Sequence, residues 1–453
     1  MPSLRDWLQK LEAHDLLVRV REEIDINHLA AATAANYTKA SLFERVRGYD
    51  IPVAANAVSN RRMLALALDT TEERLVPELE ERLRHRVKPI RAGDGPVKEV
   101  VLAGDDADLT RFPIHLQHEL DGGPYISAGV LVARHPLTGI PNLGIYRMMF
   151  RSRRETGVDV TAPHKLRRYY QLACDARRPL EVACVLGLHG ADLLAAVATA
   201  PEDVDEYEIM GALRREPVPL VKCATIDVEV PADAEIVFEC EMPPDGWVED
   251  EGPYGEFTGS YGGLKRNPVL RVKAITHRRS PVFLSATHGG YRPGWTDFYL
   301  LVPLFELTIG NALRAANLDV RGIRFHPGSS GMWVVVAIKQ WSAGDARNAL
   351  HLVLSASNQN FPKYAVVVDE DIDILDDEMV YWAMTWRTQA HEDMQIFTGM
   401  KAIPLDPSLP TEMPPVTTSK MGIDATIPLH RERLRFEVCK PPFMDEVPGA
   451  RRD

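Results

Sequence analysis

The feature that most limits how this chain can fold is a change of hydrophobic period near Ile126. From there ISAGVLVARHP and NLGIYRMMF flank a Pro/Thr/Gly turn, the pattern of an antiparallel hairpin. VEVP, AEIVFECEM, NPVLRVKAITH and SPVFLSAT add further extended runs, while a helix over residues 164–174, the strand EVACVLG and the helical stretches ADLLAAVA and DVDEYEIMGALRR form an insertion between them. That is more strand than a doubly wound fold supplies. Before it, Leu4, Trp7, Leu8 and Leu11 recur at helical spacing and LLVRV and PVAANAV alternate as strands. TTEERLVPELEERLRHRV reads as a helix capped at Thr70 or Thr71, with Pro77 marking a break within it. After about Thr296 helices and strands alternate, with YAVVVDEDID as a buried strand, and the last thirty or so residues are Pro-rich and irregular. With 453 residues there is room for two or three domains, and the fold class expected is mixed α+β. The expected boundaries are 1–115 (α/β), 116–295 (sheet-rich) and 296–453 (α/β with an irregular tail).

Composition removes several function classes. Acidic residues outnumber basic ones, 64 to 52, which opposes nucleic-acid binding through phosphate counterion release. No run approaches the ~18 uncharged residues needed to span a bilayer. Asp6, Glu12 and Asp15 stand where a signal peptide needs an apolar stretch, and Cys174, Cys184, Cys223, Cys240 and Cys439 are scattered without a C-x-x-C pair. A cytoplasmic enzyme with reduced thiols is expected.

The densest chemical cluster is WVEDEGPYGEFTGSYGG, where Glu251 and Glu256 bracket Gly252, Pro253 and Gly255. A turn that tight can hold two carboxylates at different depths, which separates their affinities for a proton. Taken alone, E-G-P is an ordinary solvated turn; the second carboxylate, interleaved with glycines and aromatics, argues for a site. In NLGIYRMMF, a strand would place Leu143, Ile145 and Arg147 on one face. There Arg147 either needs a carboxylate or anionic ligand, or lies at an edge and reaches solvent. Asn142, His164 and Glu206 offer N/O ligands suited to a borderline divalent ion, although spacing does not show that they converge. Lys420, in SKMGIDAT, is either a phosphate contact or an exposed loop lysine. The P-loop, G-x-G-x-x-G, H-E-x-x-H and G-x-S-x-G patterns are absent.

Taken together, DGGPY, PNLGIYR, DEYEIMGALR, KCATIDVEVPADAEIVFE, EGPYGEFTGSYG and SKMGIDAT resemble the UbiD family of decarboxylases, in the family's order, over roughly residues 120–426. The resemblance implies a central split β-barrel like that of flavin reductases, flanked by α/β regions. It implies prenylated FMN, supplied by a separate flavin prenyltransferase, with Mn²⁺ and K⁺ at the flavin phosphate. The activity implied is reversible, non-oxidative decarboxylation of aromatic, heteroaromatic or α,β-unsaturated acids. By position, Asn142, His164 and Glu206 match the family's metal ligands. Ile145, Tyr146, Arg147, the stretch Val160, Thr161 and Ala162, then Lys165 and Lys420, match cofactor contacts. Arg147, Glu251 and Glu256 match a Glu–Arg–Glu network in which Arg147 binds the substrate carboxylate, Glu251 orients it and Glu256 donates the proton. In ATHGGYRPGWTDF, His288 and Arg292 are candidates for a second polar group of the substrate, and Tyr291, Trp295 and Phe298 for stacking on a ring. The chain departs from the family in its Ala-rich AAVATAPEDVDE and in Arg215, where glycine is expected. Homodimers or assemblies of dimers are usual in such a family. The alternative is a flavin-binding or assembly protein on the same scaffold, against which an intact Arg147–Glu251–Glu256 set argues.

Overall fold

The computed structural model describes residues 2–290, 292, 296–356, 360–409, 417–439 and 441–443. It divides into two compact units: Met1–Leu307 with Pro327–Gly331 and Leu405–Ser408, and Thr308–His326 with Met332–Pro404 and Leu409–Asp453.

The first unit opens with the helix Leu4–Ala13. Ser3 accepts from the Asp6 amide while Asp6 bonds back to the Ser3 amide, a capping box, and Leu4, Trp7, Leu8 and Leu11 are buried. Trp7 Nε1 donates to Ala57 O at 3.1 Å, so the indole buries its ring without orphaning its donor. The helix expected from Thr70 instead spans Leu75–Leu83. Pro77 therefore falls in its first turn, where a missing N–H costs no helical bond, and no break occurs.

A nine-stranded, curled half-barrel sheet dominates this unit, running Tyr125–Ile126, Met148–Ser152, Glu155–Gly157, Val269–His277, Ile236–Met242, Leu180–Leu186, Val130–Arg134 and Pro141–Ile145, with Val100–Ala103 also on Val269–His277. The fold is mixed, as expected, with α/β regions before and after this sheet in the chain. Leu180–Leu186 is antiparallel to both neighbours, and Val182 to Leu186 are all fully buried, which explains its continuous apolar run. A second, four-stranded sheet joins Leu17–Val20, Ala40–Phe43 and Val53–Ala55 to Phe283–Ser285, the last pair being parallel.

The second unit carries a five-stranded sheet in the order Asp319–Phe325, Trp333–Lys339, Tyr364–Asp369, Thr417–Ala425, Met394–Lys401. Val366, Val368 and Ile423 form a core with Val380 and Ala383 of the helix Asp377–Trp386. On the opposite face Gly422 lies against Leu350 of the helix Asp345–Ser355; a Cβ there would meet the leucine at 3.1 Å. SKMGIDAT is thus strand, and beyond Ala425 the described residues form turns and one short 3₁₀ segment. No described helix is long and apolar enough to cross a membrane.

Candidate active site

NLGIYRMMF is two strands, not one. Pro141–Ile145 pairs with Val130–Arg134, the chain leaves the ladder at Tyr146 and Arg147, and it re-enters as Met148–Ser152 against other strands. Period-2 alternation therefore ends at Ile145 and does not set the direction of Arg147. Tyr146 folds back over Gly144, where an added Cβ would come within 2.5 Å of its ring.

Arg147 is buried among carboxylates. Its Nε donates to Glu251 Oε1 at 3.1 Å and its Nη2 to Glu251 Oε2 at 3.2 Å, a bidentate grip. Nη1 donates to Glu256 Oε1 at 2.5 Å, and Nη2 lies 2.8 Å from Asp159 Oδ2. The guanidinium carbon stands 4.7 Å from the centre of the Tyr254 ring. Burial alone would weaken the cation, but Asp159, Glu256 and Glu251 outweigh it and hold Arg147 above its ordinary range.

The glutamates reach this point through two short hairpin segments. Glu251 ends the strand Glu249–Glu251, opposite Lys265 of Lys265–Asn267, and also accepts from Asn267 Nδ2 at 3.1 Å. Glu256 follows the Tyr254–Gly255 strand; its amide donates to Ser260 O and its carbonyl accepts from the Gly259 amide, both at 2.9 Å. Gly262 opposite leaves the space its carboxylate occupies, since a Cβ would meet Oε1 at 2.6 Å. Both glutamates are buried.

Sequence reasoning missed Asp159 and Lys265. Asp159 Oδ1 accepts from Thr161 N at 3.1 Å and Thr161 Oγ1 at 2.6 Å, while Oδ2 accepts from Lys265 Nζ at 3.0 Å. Burial pushes the Asp159 carboxyl up, but Arg147 and Lys265 together hold it well below the usual carboxylate range. The D-x-T spacing is the local signal, because an aspartate two residues before a threonine accepts its amide in a turn.

Asn142 and Glu206 also converge. Glu206 opens the helix Glu206–Arg214, and its Oε2 accepts from Asn142 Nδ2 at 2.8 Å and from the Leu143 amide. Lys165 Nζ meets Oε1 at 2.8 Å. Burial raises the Glu206 carboxyl above its ordinary value, opposed by these donors. Asn142 Oδ1 is buried with no hydrogen-bond partner, an acceptor suited to a cation. His164 is the N-cap of Lys165–Asp175 without a side-chain capping bond; it is exposed, its ring 6.4 Å from that of Tyr146. An amide oxygen, a carboxylate and an imidazole fit a divalent ion, and the Lys165 ammonium fits an anionic group beside it.

Thr161 is partly buried and Ala162 exposed on the loop before His164, whereas Val160 is buried beneath it. Ile145 and His288 line a cavity of about 300 Å³, counting its open mouth, with Ala57, Ala128, Leu193 and Leu300. His288 Nδ1 is 3.3 Å from Tyr254 Oη, and burial pushes the imidazole down to about 4. Arg292 is not part of this group: it is exposed, with its guanidinium 5.2 Å from the Tyr37 ring centre. Phe298 stacks on Phe257 at 4.0 Å, while Tyr291 and Trp295 lie outside the described residues. Lys420, in the second unit, is buried and donates to Leu354 O at 2.8 Å and Asn360 O at 3.1 Å, and burial lowers it to about 8.

The chain is similar to known proteins over nearly its whole length. Three 3-octaprenyl-4-hydroxybenzoate carboxy-lyase profiles match in sequence: the N-terminal domain over residues 8–83, the Rift-related domain over 88–291 and the C-terminal domain over 299–425. The structure of the UbiD-class enzyme HmfF from Pelotomaculum thermopropionicum in complex with FMN is 37% identical, covers 98% of this chain and 99% of its own, and superposes with a TM-score of 0.91. An evolved dimeric form of HmfF in complex with prFMN is 35% identical, with coverage of 98% of each chain and a TM-score of 0.87. Anhydromevalonate phosphate decarboxylase of Methanothermobacter thermautotrophicus is 31% identical over 94% of this chain and 97% of its own.

Proposed function

The chain belongs to the UbiD family, and from that premise we propose that it is a carboxy-lyase that reversibly decarboxylates an aromatic, heteroaromatic or α,β-unsaturated acid with prenylated FMN. The observation that carries the reading is Arg147 held by Glu251, Glu256 and Asp159 in a buried cluster, within a chain that resembles HmfF bound to FMN and to prFMN.

Arg147 is fixed by the bidentate grip of Glu251, so its remaining edge is presented in one orientation to a substrate carboxylate. Glu256 shares that edge and is the acid placed to deliver a proton to the carbon that loses CO₂. Arg147, Glu251 and Glu256 are buried beside the Tyr254 ring, which strengthens each of these interactions. Ile145, Tyr146, Val160, Thr161, Ala162 and Lys165 would hold the cofactor, and Asn142, His164 and Glu206 a Mn²⁺-like ion with K⁺ nearby. The bound flavin would supply an electron sink for the departing carboxylate's bond pair. His288, neutral at physiological pH, would offer an uncharged hydrogen bond to the substrate.

A poised acid has no use in a protein that only stores or passes on a flavin, so the cluster favours the enzyme over a carrier. The test is mass spectrometry of the flavin released after co-expression with a flavin prenyltransferase and anaerobic purification, followed by a screen of carboxylic acids. A prenylated FMN mass with CO₂ release is expected. Plain FMN or none, alongside an active prenyltransferase, would reject the proposal.

A further inference from the structure

The Arg147 cluster contains three carboxylates, Asp159, Glu251 and Glu256, but only two cations, Arg147 and Lys265. All five side chains are buried or nearly so. A surplus negative charge is costly in such surroundings. The three carboxylates differ in the donors each receives. Asp159 takes four: Arg147, Lys265, and the amide and hydroxyl of Thr161. Glu251 takes three, two from Arg147 and one from Asn267. Glu256 takes one, from Arg147 at 2.5 Å, and Lys265 stands off from it at 3.7 Å.

We propose that Asp159 and Lys265 are positioning residues that set the proton occupancy of Glu256, Asp159 by completing the surplus of negative charge and Lys265 by limiting it. This rests on the decarboxylase reading for its meaning in turnover, but not for its geometry. The other groups facing Glu256 are Tyr254, whose phenol burial holds far above its ordinary range, Glu251, and the His118–Asp121 pair behind Gly255. His118 and Asp121 bond each other at 3.1 Å.

The two residues act with opposite sign. Removing the negative charge of Asp159 lets Glu256 give up its proton at lower pH. Removing the positive charge of Lys265 makes it keep the proton to higher pH. Because Glu256 must carry the proton to act, activity falls as pH rises through this transition, and the alkaline limb moves the same way.

The experiment compares wild type, D159N, K265M and K265R, each purified with its flavin, by infrared titration of the protonated-carboxyl band that is missing from E256Q, together with pH profiles of turnover. The band and the limb should move down by about one pH unit in D159N and up by about one in K265M, with K265R close to wild type. Shifts in the same direction for D159N and K265M, or no shift in K265M, overturn the proposal. If D159N does not fold, K265M against K265R decides alone. A band that titrates as expected in a protein that decarboxylates no acid would sink the proposed function and leave this inference standing. The converse, turnover with one unshifted band, would do the reverse.

Discussion

Two buried arginines in the first unit are each clamped by acidic side chains, yet they hold different things together. Arg214 bonds both oxygens of Asp192 and lies 3.4 Å from Asp233 Oδ2, with its side chain fully buried. It ties the helix Gly190–Ala196 to the helix Glu206–Arg214. Arg147 instead gathers acids from loop and hairpin segments about 100 residues apart in sequence. Tyr254 beneath it contacts His288, which lines the cavity. Each cluster carries one more carboxylate than cations. Around Arg214 the surplus falls on Asp233, raised by burial beyond what Arg214 offsets, with its Oδ1 lacking any hydrogen-bond partner. Burial and surplus charge do not by themselves mark a site; access to a cavity and an acid on a tight turn do.

The sharpest way to break this comparison is to neutralise one acid in each cluster. E256Q is expected to keep its flavin but lose roughly 10²–10⁴-fold in kcat, whereas D233N should turn over within about twofold of wild type. Equal losses would erase the distinction. Next in size, R214M strands two buried acids and is expected to cost about 3–5 kcal/mol in urea unfolding, with R147K keeping most of its stability while losing kcat/KM. The pH dependence of stability then separates the two surplus acids. Asp233 is raised in the folded state, so the native chain holds a proton that the unfolded chain releases. Its contribution is present near pH 4 and lost as pH rises, and D233N should flatten that decline in urea midpoints. The smallest effect is expected at Arg215, where the helix ends at φ +58° and the exposed Arg215 side chain bonds half-buried Glu78 Oε1 at 2.6 Å. R215G relieves the left-handed strain and loses a surface pair, so a gain below about 1 kcal/mol is expected from the same unfolding curves.

Much of this was legible. The helix that buries Leu4, Trp7, Leu8 and Leu11, the strands of the half-barrel and His164 at the head of a helix follow from local pattern. Glycine's expected place at Arg215 is explained by its positive φ. Glu251 and Glu256 stand out as carboxylates bracketing a tight turn and Arg147 as a cation on an apolar strand face, but their joining into one network came only through motif resemblance, because strand pairing that no spacing encodes makes them meet. Asp159 and Lys265 sit in VDVTAP and GLKRN, which read as an ordinary turn and an ordinary polar strand. Their role comes from facing one another across 106 residues, and only the folded sheet supplies that.

The parallel pairing of Val53–Ala55 with Phe283–Ser285 has a consequence for how the chain is made. Translation at about 5–20 residues per second leaves the early strand waiting on the order of tens of seconds for its mate. Through that interval its edge is open to any other extended segment, including one from a neighbouring ribosome. Lys265 and Asn267 emerge shortly before the mate does, so the Arg147 cluster and the sheet that closes over the N-terminal strands are completed almost together. A nascent chain arrested before residue 283 would be the aggregation-prone form of this protein.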